Sequence, residues 1–146
     1  MLAPRFSSVV SAASRLIRVP PDRERTSYTT ADYEDADSVG GGLCSLRDEL
    51  DCESLGFSVL KADPGWVGKE HDHADEGHEE VYFLVEGEAS LTVDGVEGTS
   101  TSNRISSGDG EEIRMEAGDA VRVSPDATRQ SENGPFESTF VLAGAP

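Results

Sequence analysis

The chain has 146 residues, with 29 acids against 12 bases and a net charge of −17. That length suits one domain with its own core, and the charge excludes nucleic acid as a partner, because phosphate recognition needs a basic patch. No apolar run approaches the ~20 residues of a membrane-spanning helix, so no membrane partner is expected.

Only Lys61 and Lys69 among the bases are lysines. An acidic, lysine-poor surface is expected of a halophilic protein, since salt screens the self-repulsion such charge creates. The two cysteines, Cys44 and Cys52, show no C-x-x-C spacing. They read as reduced thiols of a cytoplasmic protein rather than as a disulfide.

Residues 1–21 carry Arg5, Arg15 and Arg18 and no acid. Phe6, Val9, Val10, Ala13, Leu16 and Ile17 fall at helical spacing, and Pro20–Pro21 end any helix. The composition resembles an organelle transit peptide; a translation start set too far upstream, or a frayed terminal helix, are the plainer readings. Residues 22–42 read as a polar linker closing on Gly40-Gly41-Gly42. The expected division is a poorly ordered extension over 1–42 and a folded domain over 43–146. Leu43–Leu50 reads as a short helix or turn, with Ser45 and Asp48 as a weak capping box.

From Leu55 the pattern is β. Leu55, Phe57 and Val59 alternate, and Asp63-Pro64-Gly65 is a turn signal. The apolar run Val81–Val85 predicts a strand buried on both faces. Ala89, Leu91 and Val93 alternate next, and Asp94-Gly95 suits a hairpin turn. Residues 98–110 are rich in Gly, Ser and Thr and read as a long flexible loop. Ile113 with Met115, then Val121 with Val123, then Phe136 with Phe140 and Leu142, complete the strand pattern. Short strands between turns, with no long helix in the body, predict an all-β sandwich or barrel.

Within this pattern Gly65–Gly87 stands out. It holds every histidine of the chain, His71, His73 and His78, and the acids Glu79 and Glu80. Side chains alternate along a strand, so His71 and His73 project to one side. Two imidazoles joined by a carboxylate from a neighbouring strand suit a borderline transition metal. Glu79, of opposite parity to Glu80, is expected to face solvent. Trp66, Tyr82 and Phe83 read as core or pocket lining, and Arg122 and Arg129 either balance acids or pair with a substrate carboxylate. The plain reading of the histidines is a set of surface imidazoles in an acidic turn.

This stretch resembles the first motif of the cupin superfamily, G(X)5HXH(X)3–4E(X)6G. Gly65, His71, His73, Glu80 and Gly87 fit it, except that six residues separate His73 from Glu80. The extra turn carries His78. The second motif, G(X)5PXG(X)2H(X)3N, is degraded. Gly118, Pro125 and Asn133 are recognisable, while Ala127 stands for the glycine and Gln130 for the histidine. The resemblance covers roughly residues 55–143 and implies a jelly-roll β-barrel.

It also implies a divalent transition metal, iron, manganese, zinc, nickel or copper, held by His71, His73 and Glu80. Three accounts are open at this stage. Gln130 is a weak fourth ligand or water anchor; His78 supplies the missing imidazole; or the site has lost its metal. The resemblance implies a first function and an alternative. One is a metalloenzyme of oxygenase, isomerase, decarboxylase or lyase type, in which Glu80 or Glu79 moves protons. The other is a non-catalytic small-molecule-binding or sensory module. A homodimer pairing through sheet edges is the implied assembly.

Overall fold

The computed structural model describes residues 26–94, 104–107 and 110–146. The amphipathic stretch 1–21 and the turn expected from Gly95 onward lie outside the described residues, as does most of the 98–110 loop.

Among the described residues ten strands form: β1 (Ser38–Val39), β2 (Leu43–Ser45), β3 (Gly56–Ala62), β4 (Glu79–Glu86), β5 (Glu88–Asp94), β6 (Arg104–Ser107), β7 (Gly110–Glu116), β8 (Ala120–Val123), β9 (Thr128–Asn133) and β10 (Ser138–Ala145). They make two antiparallel sheets, ordered β1-β2-β3-β10-β4-β8 and β6-β7-β5-β9. The second sheet is extended beyond β9 by isolated bridges from Val67 to Glu132 and from His71 to Arg129. Residues 104–107, read as loop, are a strand paired with β7.

Each sheet turns one side inward. Leu60, Leu84 and Phe140 of the first sheet meet Leu91, Val93 and Met115 of the second in one buried cluster. Alternation sets these faces: Phe140 lies between Leu60 and Leu84 in the register, and Leu91 pairs with Ile113. Replacing a core leucine such as Leu84, fully enclosed here, by alanine removes packing of the kind that costs about 2–5 kcal/mol.

Several expectations are corrected. Val81–Val85 is not buried on both faces. Tyr82 and Leu84 are buried, whereas Phe83 and Val85 keep 38% and 47% of their surface exposed. An unbroken apolar run therefore serves a one-sided strand, and the outer side carries Val81, Phe83 and Val85. Along the register Phe83 lies beside Val141, which lies beside Val59. The outer face of this sheet is thus an apolar strip. Phe136, expected to share a face with Phe140, precedes β10 and is 68% exposed. Leu43–Ser45, read as helix or turn, is a strand, and turns follow it from Arg47. Gly40–Gly42, read as the end of a linker, joins β1 to β2 in a hairpin. Cys44 and Cys52 are free, as expected.

Two motif glycines have local causes. Asp63-Pro64-Gly65 forms a turn in which Gly65 has φ 71° and the Trp66 N–H donates to the Asp63 carbonyl at 3.1 Å. Gly87 joins β4 to β5 at φ 99°, and a Cβ there would collide with the Ser138 hydroxyl and the Glu137 carbonyl.

Candidate metal centre

Alternation along β4 turns Glu80 inward beside Tyr82, while Glu79 points outward to Arg122 at 3.4 Å. Glu79 thus cannot move protons at the site, contrary to one expectation. His71 and His73 arrive on the segment that leaves the Gly65 turn. His71 is held by backbone pairing with Arg129, and the His73 N–H donates to the Pro125 carbonyl at 2.9 Å. Strand and segment converge so that ligand atoms of His71, His73 and Glu80 all lie within 4.8 Å of one another.

Hydrogen bonds fix how these groups face. His71 Nδ1 is 2.8 Å from the Lys69 carbonyl, and His73 Nδ1 is 2.8 Å from a Glu76 carboxylate oxygen. Both partners only accept, so each Nδ1 carries its proton. Each ring therefore turns its Nε2 to the centre. There Glu80 Oε2 lies 3.3 Å from His73 Nε2, and Glu80 Oε1 lies 4.0 Å from His71 Nε2. The Nε2 atoms of two imidazoles and both carboxylate oxygens converge on one place. A proton on His73 Nε2 would satisfy one oxygen and leave Glu80 Oε1 and His71 unpaired. A divalent cation satisfies all of them, and the nitrogen–oxygen donor set suits a first-row transition metal. The residues fit the metal that the motif implies.

Below the cluster lies a buried pair. The Tyr82 phenol sits against both the Glu80 carboxylate and the Arg129 guanidinium. Burial, and then the Glu80 charge, push Tyr82 far above the usual phenol range, with Arg129 opposing them. Tyr82 is therefore a neutral donor toward Glu80. Arg129 is 1% exposed and gives Nη1–H to the Ala127 carbonyl at 3.0 Å. Among the described residues, the buried side-chain polar atoms without a hydrogen-bond partner are Glu80 Oε1, Arg129 Nε and Arg129 Nη2. All three belong to this one assembly.

The cluster opens into a cavity of about 420 Å³. Trp66, Leu43, Leu60 and Leu142 give it an apolar wall, and His78 and Lys69 also line it. His78 thus reaches the cavity but is not one of the three clustered ligands. Gln130 is corrected. It pairs with Thr92 on the outer side of β9, and its amide donates to the Gly68 carbonyl at 2.9 Å. Arg129, Ser131 and Asn133 take the inner parity, and it is Ser131 that lines the cavity. Lys69, Ser131 and the hairpin residues Gly40 and Leu43 were not anticipated from sequence. The buried Asn133 at the motif's end carried the signal for Ser131 and Arg129, two and four residues before it.

No protein-family model matches the sequence, and no curated protein matches it. Solved structures do match in shape. KdgF from Halomonas sp. superposes with a TM-score of 0.58 at 18% identity, over 84% of this chain and 94% of that one. An RmlC-like cupin from Shewanella frigidimarina gives 0.57 at 22% identity, over 83% and 95%. The chain has the cupin fold. An oxalate decarboxylase from Lactobacillus farciminis, solved as a formate complex, matches with a TM-score of 0.61 at 17% identity. This cupin barrel covers 34% of that longer chain, and the match takes in 85% of this one. Its two sheets are the jelly roll that the first motif implied, and its His-x-His and Glu residues converge between them.

Proposed function

We propose that this cupin binds a divalent transition metal through His71, His73 and Glu80 and acts on a small molecule held in the adjoining cavity. The observation that carries the reading is the convergence of the Nε2 atoms of His71 and His73 on both Glu80 oxygens, with each ring fixed from behind through Nδ1. Bound there, the metal would supply a Lewis acid that polarises a substrate oxygen. The chain's own residues do the remaining work. Trp66 and the leucines exclude water from one side of the bound molecule. Glu76 and the Lys69 carbonyl hold the imidazole tautomers. Tyr82 holds Glu80 in place. The imidazole of His78, outside the ligand set, is placed on the cavity wall to exchange a proton with the bound molecule. Elemental analysis after expression with iron, manganese, zinc, nickel and copper supplements tests this. Stoichiometric metal that is lost in His71→Ala supports the reading; metal-free protein in both cases refutes it.

A non-catalytic binding module is the second reading. It is favoured by the register, which pairs His71 with Arg129, a cation rather than a further metal-binding side chain. For the assembly, we propose a homodimer built through the apolar outer strip of Val59, Val141 and Phe83.

A further inference from the structure

The chain is acidic nearly everywhere, and the cavity is an exception. Among the described residues lining it, Glu80 is the one acid, and it faces the imidazoles. The same walls hold His71, His73, His78 and Lys69. Behind Tyr82 lies the Arg129 guanidinium, buried, with Nε and Nη2 unpartnered. Glu76, beside the cluster, is engaged with His73. The contrast with the other large concavity, on the outer side of β5, β7 and β9, is sharp. There Glu88, Glu112, Glu116, Asp119 and Glu132 surround Arg114.

We propose that the cavity takes a small organic anion, a carboxylate or enolate carried on an apolar body. This deepens the metal-site reading and names the substrate class of that same site. The lining needs no metal to favour an anion: its one carboxylate, Glu80, is turned to the imidazoles, which leaves Lys69 as the cation facing a bound molecule. A bound divalent ion adds positive charge to the same place. Low-dielectric walls strengthen the attraction for an anion that has passed the acidic exterior. The apolar body meets Trp66 and the wall of Leu43, Leu60 and Leu142, so the charged end is directed at Lys69. A neutral ligand would leave the Lys69 ammonium without an ionic partner, and a cation would meet its repulsion.

Trp66 is the chain's one tryptophan and lines the cavity, so its fluorescence reports binding directly. The full chain is titrated with three probes of one shape, phenylacetate, phenylacetamide and 2-phenylethylammonium, at constant ionic strength, in chelator and again with Zn²⁺. Phenylacetate is expected to bind about tenfold tighter than the amide, and the ammonium weakest of the three. Lys69→Gln is expected to narrow the gap by weakening phenylacetate while leaving the amide unchanged. Equal affinity of the three, including no binding by any, overturns the inference, as does an ammonium that binds tightest. The two readings separate cleanly. A chain that prefers phenylacetate in chelator but takes no Zn²⁺ loses the metal reading and keeps the anion.

Discussion

Arg129 and His71 face each other across neighbouring strands. The His71 N–H donates to the Arg129 carbonyl at 3.0 Å, and the Arg129 N–H returns the bond to the His71 carbonyl at 2.9 Å. Residues paired in this way carry their side chains on the same side, so position 129, not 130, shares the face of the His71, His73 and Glu80 cluster. Arg129→His therefore adds an imidazole to the centre and removes a cation from it. Zn²⁺ affinity is expected to rise by at least ~10-fold, or about 1.4 kcal/mol. Gln130→His is expected to leave it unchanged. Calorimetry on both variants, with circular dichroism as the control for folding, decides. Tightening by Gln130→His alone would contradict the register.

That pair also shows what the sequence could and could not tell. Fold class and the first motif were legible, because alternation and the spacing of Gly65, His71, His73, Glu80 and Gly87 each reflect a local constraint. The second motif misled by one residue. Counting onward from Pro125 reaches Gln130, but a slip of one position moves a strand residue to the opposite face. Counting back by twos from Asn133 reaches Ser131 and Arg129, both inward. The strand at Val81–Val85 misled for a different reason. An apolar run gives no parity, so composition could not show that Phe83 and Val85 face outward. Nor could it show that Gly40–Gly42 turns back against the barrel, since that follows from pairing between Ser38 and Cys44.

Tyr82 makes stability depend on alkaline pH. Its folded pKa is raised above the unfolded value, so the neutral phenol stabilises the native state fully below pH about 10, and this is lost as pH rises further. Chemical denaturation across the alkaline range is expected to show falling stability above that point. Tyr82→Phe should flatten the decline. An unchanged slope in Tyr82→Phe would place its cause elsewhere.

Net charge sets a second dependence. With −17 on 146 residues, self-repulsion opposes the compact state, and salt relieves it as the screening length falls from about 10 Å at 0.1 M to about 3 Å at 1 M. The melting temperature is expected to rise with KCl over that range. A melting temperature that falls would contradict the halophilic reading of the composition.

The apolar outer strip bears on assembly. Phe83, beside Val141 and Val59 in the register, has no charged neighbour in that row. Sedimentation of the wild-type chain is expected to give a dimer, and Phe83→Glu a monomer, because two like charges would meet across a symmetric contact. A dimer that survives Phe83→Glu would move the interface to another surface.

The account rests on a metal held by His71, His73 and Glu80. Calorimetric titration of the chelator-treated chain with Zn²⁺, run beside His73→Ala, tests this most directly. The expected result is a single saturable ion per chain, with binding abolished in His73→Ala while the fold is retained. Absence of binding in the wild type, or equal binding in the variant, would contradict it.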